Sequence, residues 1–334
     1  MTWRQIQKDN FTHWSKLADF LELDVNKRSH ILQHPTFPLN LPRRLANKIS
    51  KNTLNDPLLL QFLPLDLEEK KEAGFIPDPV SDQSFQKTSR LLHKYPGRAL
   101  LVCTSACAMH CRFCFRQNYP YEKQTTEFEK ELEQLANDSS IFEVILSGGD
   151  PLSLNDEKLK NLIEALEKIP HLKLLRFHTR FPLGIPERIT RDFLSVLEKS
   201  HLQTYFILHI NHPKELDEDV TAALKKIGRL GIPLLSQMVL LKNVNDQVEI
   251  LSELFLNLIQ VGITPYYLHQ LDQVQGTGHF EVPISKGQKL LEILRERLPG
   301  YAIPTYVQEI PFKKSKTALH AVHGIKTQDI KSLF

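Results

Sequence analysis

The chain has 334 residues, enough for one large domain with an appendage or for two domains, and enough to bury a sizeable core. Its 42 Lys and Arg against 39 Asp and Glu leave a formal net charge of +3, scattered rather than striped, so charge argues neither for nor against a nucleic-acid partner. The polar opening MTWRQIQKDNFTHW is not a secretory signal, and apolar runs such as PLLLQFLPL are too short to span a bilayer, so the expectation is a cytoplasmic protein with no membrane partner.

Up to about residue 97 the pattern is helical and irregular, punctuated by HPTFPLNLP and GFIPDP. From residue 99 a regular rhythm begins. Strands are expected at 99–104, 142–146, 174–178, 204–209, 233–239 and 265–268, because these runs are short, apolar and rich in β-branched or aromatic residues. Helices are expected between them and after the last, at 127–137, 155–168, 187–199, 217–230, 246–260 and 285–298, where apolar residues recur with helical period. A further strand is expected at 303–307. Six strand–helix units in succession mean a parallel sheet, flat or closed into a barrel.

Polar residues recur after the strands, where a parallel barrel builds its active site. The first strand is followed by a cysteine loop, the second by SGGDP (Ser147, Gly148, Gly149, Asp150, Pro151) and the third by HTR (178–180). The fourth ends in HINH with His209, the fifth carries Gln237, and the sixth runs into HQLDQ with Asp272. Glu309 and the cluster Lys313, Lys314, Lys316 follow the extra strand. Each alone reads best as ordinary loop polarity; seven in a row weaken that reading.

All four cysteines lie in CTSACAMHCRFCFRQ. Cys107, Cys111 and Cys114 form C-x3-C-x2-C, whereas Cys103 falls inside a predicted strand, where a small buried hydrophobe fits. In a reducing compartment such thiols bind metal or do redox work. Three thiolates can hold three irons of a [4Fe–4S] cluster and leave the fourth open. The alternative is structural zinc on three cysteines with His110 or Cys103. Spacing favours iron without deciding it.

The CAMHCRFC loop resembles the signature of the radical S-adenosylmethionine superfamily, and SGGDP resembles its second motif. Longer stretches narrow the likeness: KYPGRALLVCTSACAMHCRFCFR, LSGGDPL, NHP, SQMVLLKNVND, PYYLHQLDQVQGTGHF and KSKT resemble lysine 2,3-aminomutases, most of all the shorter branch that makes (R)-β-lysine for elongation factor P. The resemblance covers nearly the whole chain, most strongly residues 92–317. It implies an α/β fold, a partial (β/α)6 TIM-like barrel with a helical N-terminal extension. The corresponding division is a helical region 1–97, a barrel with its cofactor site at 98–320 and a tail at 321–334.

The resemblance also implies three cofactors: a [4Fe–4S] cluster on Cys107, Cys111 and Cys114, S-adenosyl-L-methionine, and pyridoxal 5′-phosphate (PLP). The reaction it implies is one in which a radical derived from S-adenosylmethionine takes a hydrogen from the β-carbon of lysine, the nitrogen migrates from Cα to Cβ, and the hydrogen returns. Ser147, Gly148, Gly149 and Asp150 match the motif that receives the methionine amino group, and His209 and Gln237 match polar residues of the same pocket. Among the three clustered lysines, the family's lysine before a threonine corresponds to Lys316; burial or the neighbours Lys313 and Lys314 would help it lose its proton. The run before it, IPFKKS, departs from the glycine-rich run of the catabolic enzymes. Tyr95 and Lys94 match the grip on the PLP phosphate, and Arg116 the holder of the substrate carboxylate, a role suited to a planar fork. Asp272 matches one acid that holds the far ammonium of lysine, and Glu309 occupies the place of a second, an aspartate in the catabolic enzymes. Phe113 stands where the catabolic branch has histidine.

The implied partners are free L-lysine as substrate, an external electron donor and, functionally, the elongation factor P lysyl-ligase, with no direct nucleic-acid binding; a homo-oligomer is compatible with this. Three readings compete: β-lysine synthesis for elongation factor P, a catabolic lysine 2,3-aminomutase, and a non-enzymatic zinc-binding interaction module. The catabolic members carry a C-terminal extension with further cysteines that is not seen before Phe334, which favours the first.

Overall fold

The computed structural model describes residues 1–121 and 127–320; the tail at 321–334 lies outside the described residues. One sheet runs through β1 (Leu91–Tyr95), β2 (Arg98–Thr104), β3 (Glu143–Gly148), β4 (Leu174–Thr179), β5 (Gln203–His209), β6 (Leu234–Val239), β7 (Ile263–His269), β8 (Thr305–Gln308) and β9 (Thr317–Ala318), each bonded to the next in chain order. From β2 to β8 the pairings are parallel. The end pairs β1–β2 and β8–β9 are antiparallel. Among the described residues the sheet does not close on itself, so this is a partial barrel with all seven expected strands in place.

The helices lie where amphipathic period placed them. Those between successive parallel strands are α5 (Glu129–Asn137), α6 (Asp156–Glu167), α8 (Arg191–Glu198), α9 (Glu218–Gly228), α10 (Val248–Gln260) and α11 (Ile284–Arg297), with the short α7 (Phe181–Gly184) preceding α8. The starts of α6, α8 and α9 are capped by side chains that satisfy orphan amides: Asn155 accepts from Lys158 N at 2.8 Å, Thr190 from Phe193 N at 3.0 Å and Asp217 from Val220 N at 2.8 Å. Leu159, Leu162, Ile163 and Leu166 of α6 turn one stripe onto the sheet, as Val220, Ala223, Leu224 and Ile227 do from α9.

Two strands lie outside the expected pattern. β1 falls in the region read as helical; it is folded back onto β2 through the Pro96–Gly97 turn, so the hairpin runs across residue 97. β9 has two residues and pairs at Val307–Ala318 and Gln308–Thr317, too short for any periodic signal. β7 begins at Ile263, two residues before the expected start, because Pro265 is tolerated where the pairing with β6 shifts register.

The N-terminal region contributes α1 (Trp3–Lys8), α2 (Trp14–Phe20), α3 (Val25–Arg28) and α4 (Arg43–Ala46), joined by loops and 3-10 turns. It shares the barrel's core: Trp3, Phe11, Leu17, Leu45 and Phe62 belong to the same buried cluster as Leu101, Phe177, Phe206 and Leu268. Trp3 meets Phe181 edge-on at 5.5 Å between ring centres.

β3 ends at Gly148, and the backbone of Gly149 lies against the cysteine loop. A β-carbon on Gly149 would sit 2.3 Å from Ala106 O and 2.7 Å from Ser105 C, both main-chain atoms that no side-chain rotation can move. Gly149→Ala should therefore cost about 2 kcal/mol or more in chemical denaturation. Gly300→Ala, where a β-carbon meets nothing within 4 Å, should stay within about 0.5 kcal/mol of the parent. Equal stability of the two variants would show that the loop is not seated as described.

Candidate functional site

A cavity of about 370 Å³ opens at the C-terminal ends of the parallel strands, and every residue to which the resemblance gives a cofactor or substrate role lines it: Cys107, Cys111, Cys114, Arg116, Ser147, Gly148, Gly149, Asp150, His209, Gln237, Lys94, Tyr95, Asp272, Glu309 and Lys316. Cys103 does not line it; it is buried within β2, with burial pushing its thiol up to about 12.

The cysteine loop is held from outside the barrel. Gln7 Nε2 and Asn40 Nδ2 donate to Cys107 O at 3.3 and 3.2 Å, and Asn10 Nδ2 donates to Ala108 O at 2.8 Å. Arg112, 2% exposed, points away from the cavity into this brace: Nη1 donates to Phe37 O at 2.7 Å and Nε to Glu68 Oε1 at 2.8 Å. Burial raises all three cavity thiols above the ordinary range, Cys107 strongly and Cys114 to about 11. On Cys111 the rise is opposed by Arg180, whose Nη1 donates to Sγ at 2.9 Å. Among the described residues no three His, Cys, Asp or Glu side chains converge as on one metal ion. A cubane places its cysteines on separate irons, and the donor set of three thiols from one loop suits it. His110, a ligand in the zinc alternative, turns its Nδ1 to Pro38 O at 2.8 Å.

Behind the loop, Gly149 N donates to Thr104 O at 2.6 Å and Asp150 N to Ala106 O at 2.8 Å, tying the end of β3 to the cysteine segment. Gly148 has φ +112°, a conformation natural to glycine. The Asp150 carboxylate is already engaged. It accepts from Thr179 Oγ1 at 2.8 Å, Arg180 N at 2.8 Å, Phe181 N at 3.0 Å and Leu152 N at 3.0 Å. Its side chain thus fastens β3 to the end of β4, with burial raising its pKa against those bonds.

Elsewhere in the cavity Glu309 is the hub. Lys316 Nζ lies 2.8 Å from Glu309 Oε2, Lys94 Nζ lies 2.6 Å from Oε1, and the Tyr95 hydroxyl donates to Oε1. Burial alone would raise the Glu309 pKa; the charge and hydrogen bond of Lys316, with the bonds from Lys94 and Tyr95, outweigh it and bring it to about 2. Asp272 is the opposite case. Burial pushes its pKa to about 7, Lys316 and Lys94 opposing and Glu309 adding to the rise. Lys313 and Lys314 are exposed, so an anion rather than neighbouring ammonium groups faces Lys316. Arg116, 9% exposed, gives Nε to Asp82 Oδ2 at 2.7 Å and Nη1 to Ser147 Oγ at 3.4 Å.

His209, His178 and His269 each present a buried Nε2 without a hydrogen-bond partner among the described residues. Burial and the Arg180 charge lower His209 to about 3, so it is neutral at pH 7. Gln237 Nε2 approaches His178 Nδ1 at 3.5 Å. Phe113 stacks obliquely on His209 at 5.5 Å and edge-on to Phe280 at 6.1 Å. Buried imidazole nitrogens without partners in a cavity are what a bound polar molecule would satisfy.

Residues not singled out also meet here. Asp82 belongs to an aperiodic segment, GFIPDPVSDQSF, and has no sequence signal. Arg180 and His178 were visible only as the strand-end HTR, and His269 only as the strand-end histidine of HQLDQ.

A model of the Radical SAM superfamily matches residues 101–254. The L-lysine 2,3-aminomutase of Haemophilus influenzae is 42% identical over 94% of this chain and 94% of its own length. The protein of the same name from Escherichia coli is 41% identical over 85% of this chain and 83% of its own length. That from Clostridium subterminale is 36% identical over 80% and 65%, respectively. A radical SAM methyltransferase structure from Sphaerobacter thermophilus superposes with a TM-score of 0.48 at 17% identity, covering 65% of this chain and 68% of that one. With 42% identity sustained along nearly the whole of both chains, and the three-cysteine loop within the matched superfamily segment, this chain belongs to the lysine 2,3-aminomutase family of the radical SAM superfamily.

Proposed function

We propose that the protein is a lysine 2,3-aminomutase that converts free (S)-α-lysine to (R)-β-lysine. The observation that carries this is that three cysteines of one loop and Lys316 face the same cavity. Cys107, Cys111 and Cys114 are assigned to a [4Fe–4S] cluster. Ser147, Gly148, Gly149, His209 and Gln237 are assigned to S-adenosylmethionine, with Asp150 positioning its surroundings. Lys316 is assigned to PLP, with Lys94 and Tyr95 near its phosphate. When bound, these groups supply the electron, the radical and the π-system for nitrogen migration. The chain's own tasks are binding, orientation and exclusion of water.

Arg116 is the fork for the substrate carboxylate, oriented through Nε by Asp82. Glu309 stays ionised at neutral pH, so it can accept an ammonium from Lys316 or from the substrate. Asp272 is poised near neutrality, and a substrate ammonium beside it would draw it into its charged form. The helical N-terminal region braces the cysteine loop, and the sheet that carries the cofactor site begins at β1, so Lys94 and Tyr95 belong to the site although they precede residue 98. No helix among the described residues is long and apolar enough to cross a membrane. We place the protein in the cytoplasm, with an external reductant, and acting upstream of the elongation factor P lysyl-ligase.

Anaerobic protein supplied with lysine, S-adenosylmethionine, PLP and dithionite should form β-lysine. Cys107→Ala, Cys111→Ala and Cys114→Ala should each lose cluster iron, while Cys103→Ala keeps it. Borohydride reduction should label Lys316 and neither Lys313 nor Lys314. Stoichiometric zinc in place of iron, or a label on a neighbouring lysine, would refute the corresponding assignment.

Asp272 gives a pH signature. Lysine affinity should rise as pH passes through about 7, because the acid then gains the charge that attracts an ammonium. Asp272→Asn should remove that rise and lower kcat/KM for lysine by about 10- to 100-fold, the loss of about 1.5–3 kcal/mol expected for a charged hydrogen bond. Stability should move the other way. The folded-state pKa near 7 exceeds the ordinary 3.8, so the folded state holds the proton longer and cofactor-free protein loses stability as pH rises between those values. Asp272→Asn should therefore raise Tm at pH 8, where the parent has an ionised buried acid, and little at pH 4. A variant that binds lysine as the parent does would place the ammonium elsewhere.

The use of β-lysine for elongation factor P is supported by the sequence resemblance to that branch. Deleting the gene should remove the β-lysyl mass increment from elongation factor P. Retention of the full increment would favour the catabolic use.

A further inference from the structure

We infer that Arg180 is a positioning residue that sets the reduction potential of the iron–sulfur cluster through Cys111. This rests on the assignment of Cys107, Cys111 and Cys114 to a [4Fe–4S] cluster and goes beyond it, because Arg180 has no role in the assignments above.

The geometry is specific. Arg180 is 6% exposed and donates from Nη1 to Cys111 Sγ at 2.9 Å. Its other terminal nitrogen, Nη2, is held at 2.6 Å by Gln61 Oε1 and at 2.9 Å by Glu215 Oε2. Glu215 is fully buried and fixed in turn: its Oε1 accepts from Asn211 N at 3.1 Å and from His212 N at 3.0 Å. The guanidinium lies 5.0 Å from the Phe62 ring centre and 5.5 Å from that of Phe113. The Arg180 amide is anchored on Asp150 at 2.8 Å. A cation is thus fixed by four chain segments with its positive edge on one cysteine sulfur and its compensating anion on the far side.

The physical consequence follows from charge. An arginine keeps its charge at any accessible pH, and a site walled by aromatic rings and buried side chains screens it weakly. A donor aimed at a cluster sulfur favours the more negative member of the couple. The step affected is the one-electron reduction of the cluster by an external one-electron reductant; no bond is made or broken and the reductant is oxidised by one electron. Arg180 therefore favours the reduced cluster and raises its potential. Because Glu215 partly offsets the positive charge, removing each partner should shift the potential in opposite directions.

The experiment uses the reconstituted protein, with iron and sulfide quantified and folding checked by circular dichroism. The reduced cluster is measured by electron paramagnetic resonance at a series of fixed potentials set with dithionite and mediators. Arg180→Gln should lower the ratio of reduced to oxidised cluster at a given potential about tenfold, equivalent to ~59 mV for a one-electron couple. Glu215→Gln should raise that ratio. If Arg180→Gln does not load iron, the direction of the Glu215→Gln shift decides: a fall or no change overturns the inference. An unchanged ratio in loaded Arg180→Gln overturns it as well, and so does failure of both variants to hold iron, because the network would then be structural only. An unmutated protein without a four-iron cluster would instead overturn the cysteine assignment beneath it.

Discussion

The loop that carries Cys107, Cys111 and Cys114 can occupy its place only because Gly149 has no side chain, and much of the site follows from that seat. The main chain of Ala106 passes where a β-carbon would be, at 2.3 Å. That approach lets Asp150 N reach Ala106 O and turns the Asp150 carboxylate toward the end of β4, where it collects Thr179, Arg180 and Phe181. Arg180 then reaches back to Cys111. The path is closed: cysteine loop, glycine pair, acid, arginine, cysteine. Each member restricts the next, so the sulfurs are oriented by a ring of buried contacts rather than by the loop's own backbone preference, in keeping with the outer-shell logic of metal sites.

The cavity's acids solve a separate electrostatic problem. Four carboxylates and several cations line about 370 Å³. Asp82 is held by Arg116 and Asp150 by Thr179 and main-chain amides, which leaves Asp272 and Glu309, and equal treatment of these two would leave uncompensated charge. The chain separates them by partners. Glu309 takes Lys316, Lys94 and Tyr95 and remains anionic, while Asp272 is left with burial as its main influence and rises to about 7. One acid is therefore a permanent anchor and the other an adjustable one. A substrate with a cationic side chain, such as lysine, brings the positive charge that would pair with Asp272; one with an acidic side chain would bring more of what Glu309 already supplies.

Periodicity made the barrel legible. Seven parallel strands and the helices between them fall where apolar runs and amphipathic stretches alternate, and the polar residues after the strands meet in one cavity because a parallel sheet puts all those ends on one side. What was not legible lacks a period. β9 has two residues, and β1 needed the Pro96–Gly97 turn to be weighted above its surroundings. Asp82 pairs with Arg116 from an irregular segment 34 residues earlier, a contact that no local pattern encodes. The Glu309 hub was also hidden: sequence placed an acid, two lysines and a tyrosine near a cofactor, yet only the fold shows that they engage one another. The engagement of Asp150 is a further case, since only the fold shows that its carboxylate accepts from Thr179 Oγ1 and Arg180 N.

An incomplete barrel explains why the irregular first third of the chain belongs to the active site rather than beside it. A closed barrel buries its strand edges by itself, but a sheet that stops at two edges leaves apolar surface and loop backbone to be covered. Here Leu17, Leu41, Leu45 and Phe62 enter the same core as the strands, while Gln7, Asn10, Asn40 and Gln61 use their amides on the cysteine loop and its arginine. Apolar side chains from this region thus hold it against the barrel, and its polar side chains hold the cysteines. Radical chemistry requires water to be kept from the reacting atoms. A brace that packs as core on one side and hydrogen-bonds the loop on the other meets that need without adding another strand–helix unit. Its segments are free of the strand–helix rhythm because their task is to fit a fixed surface, which imposes no period.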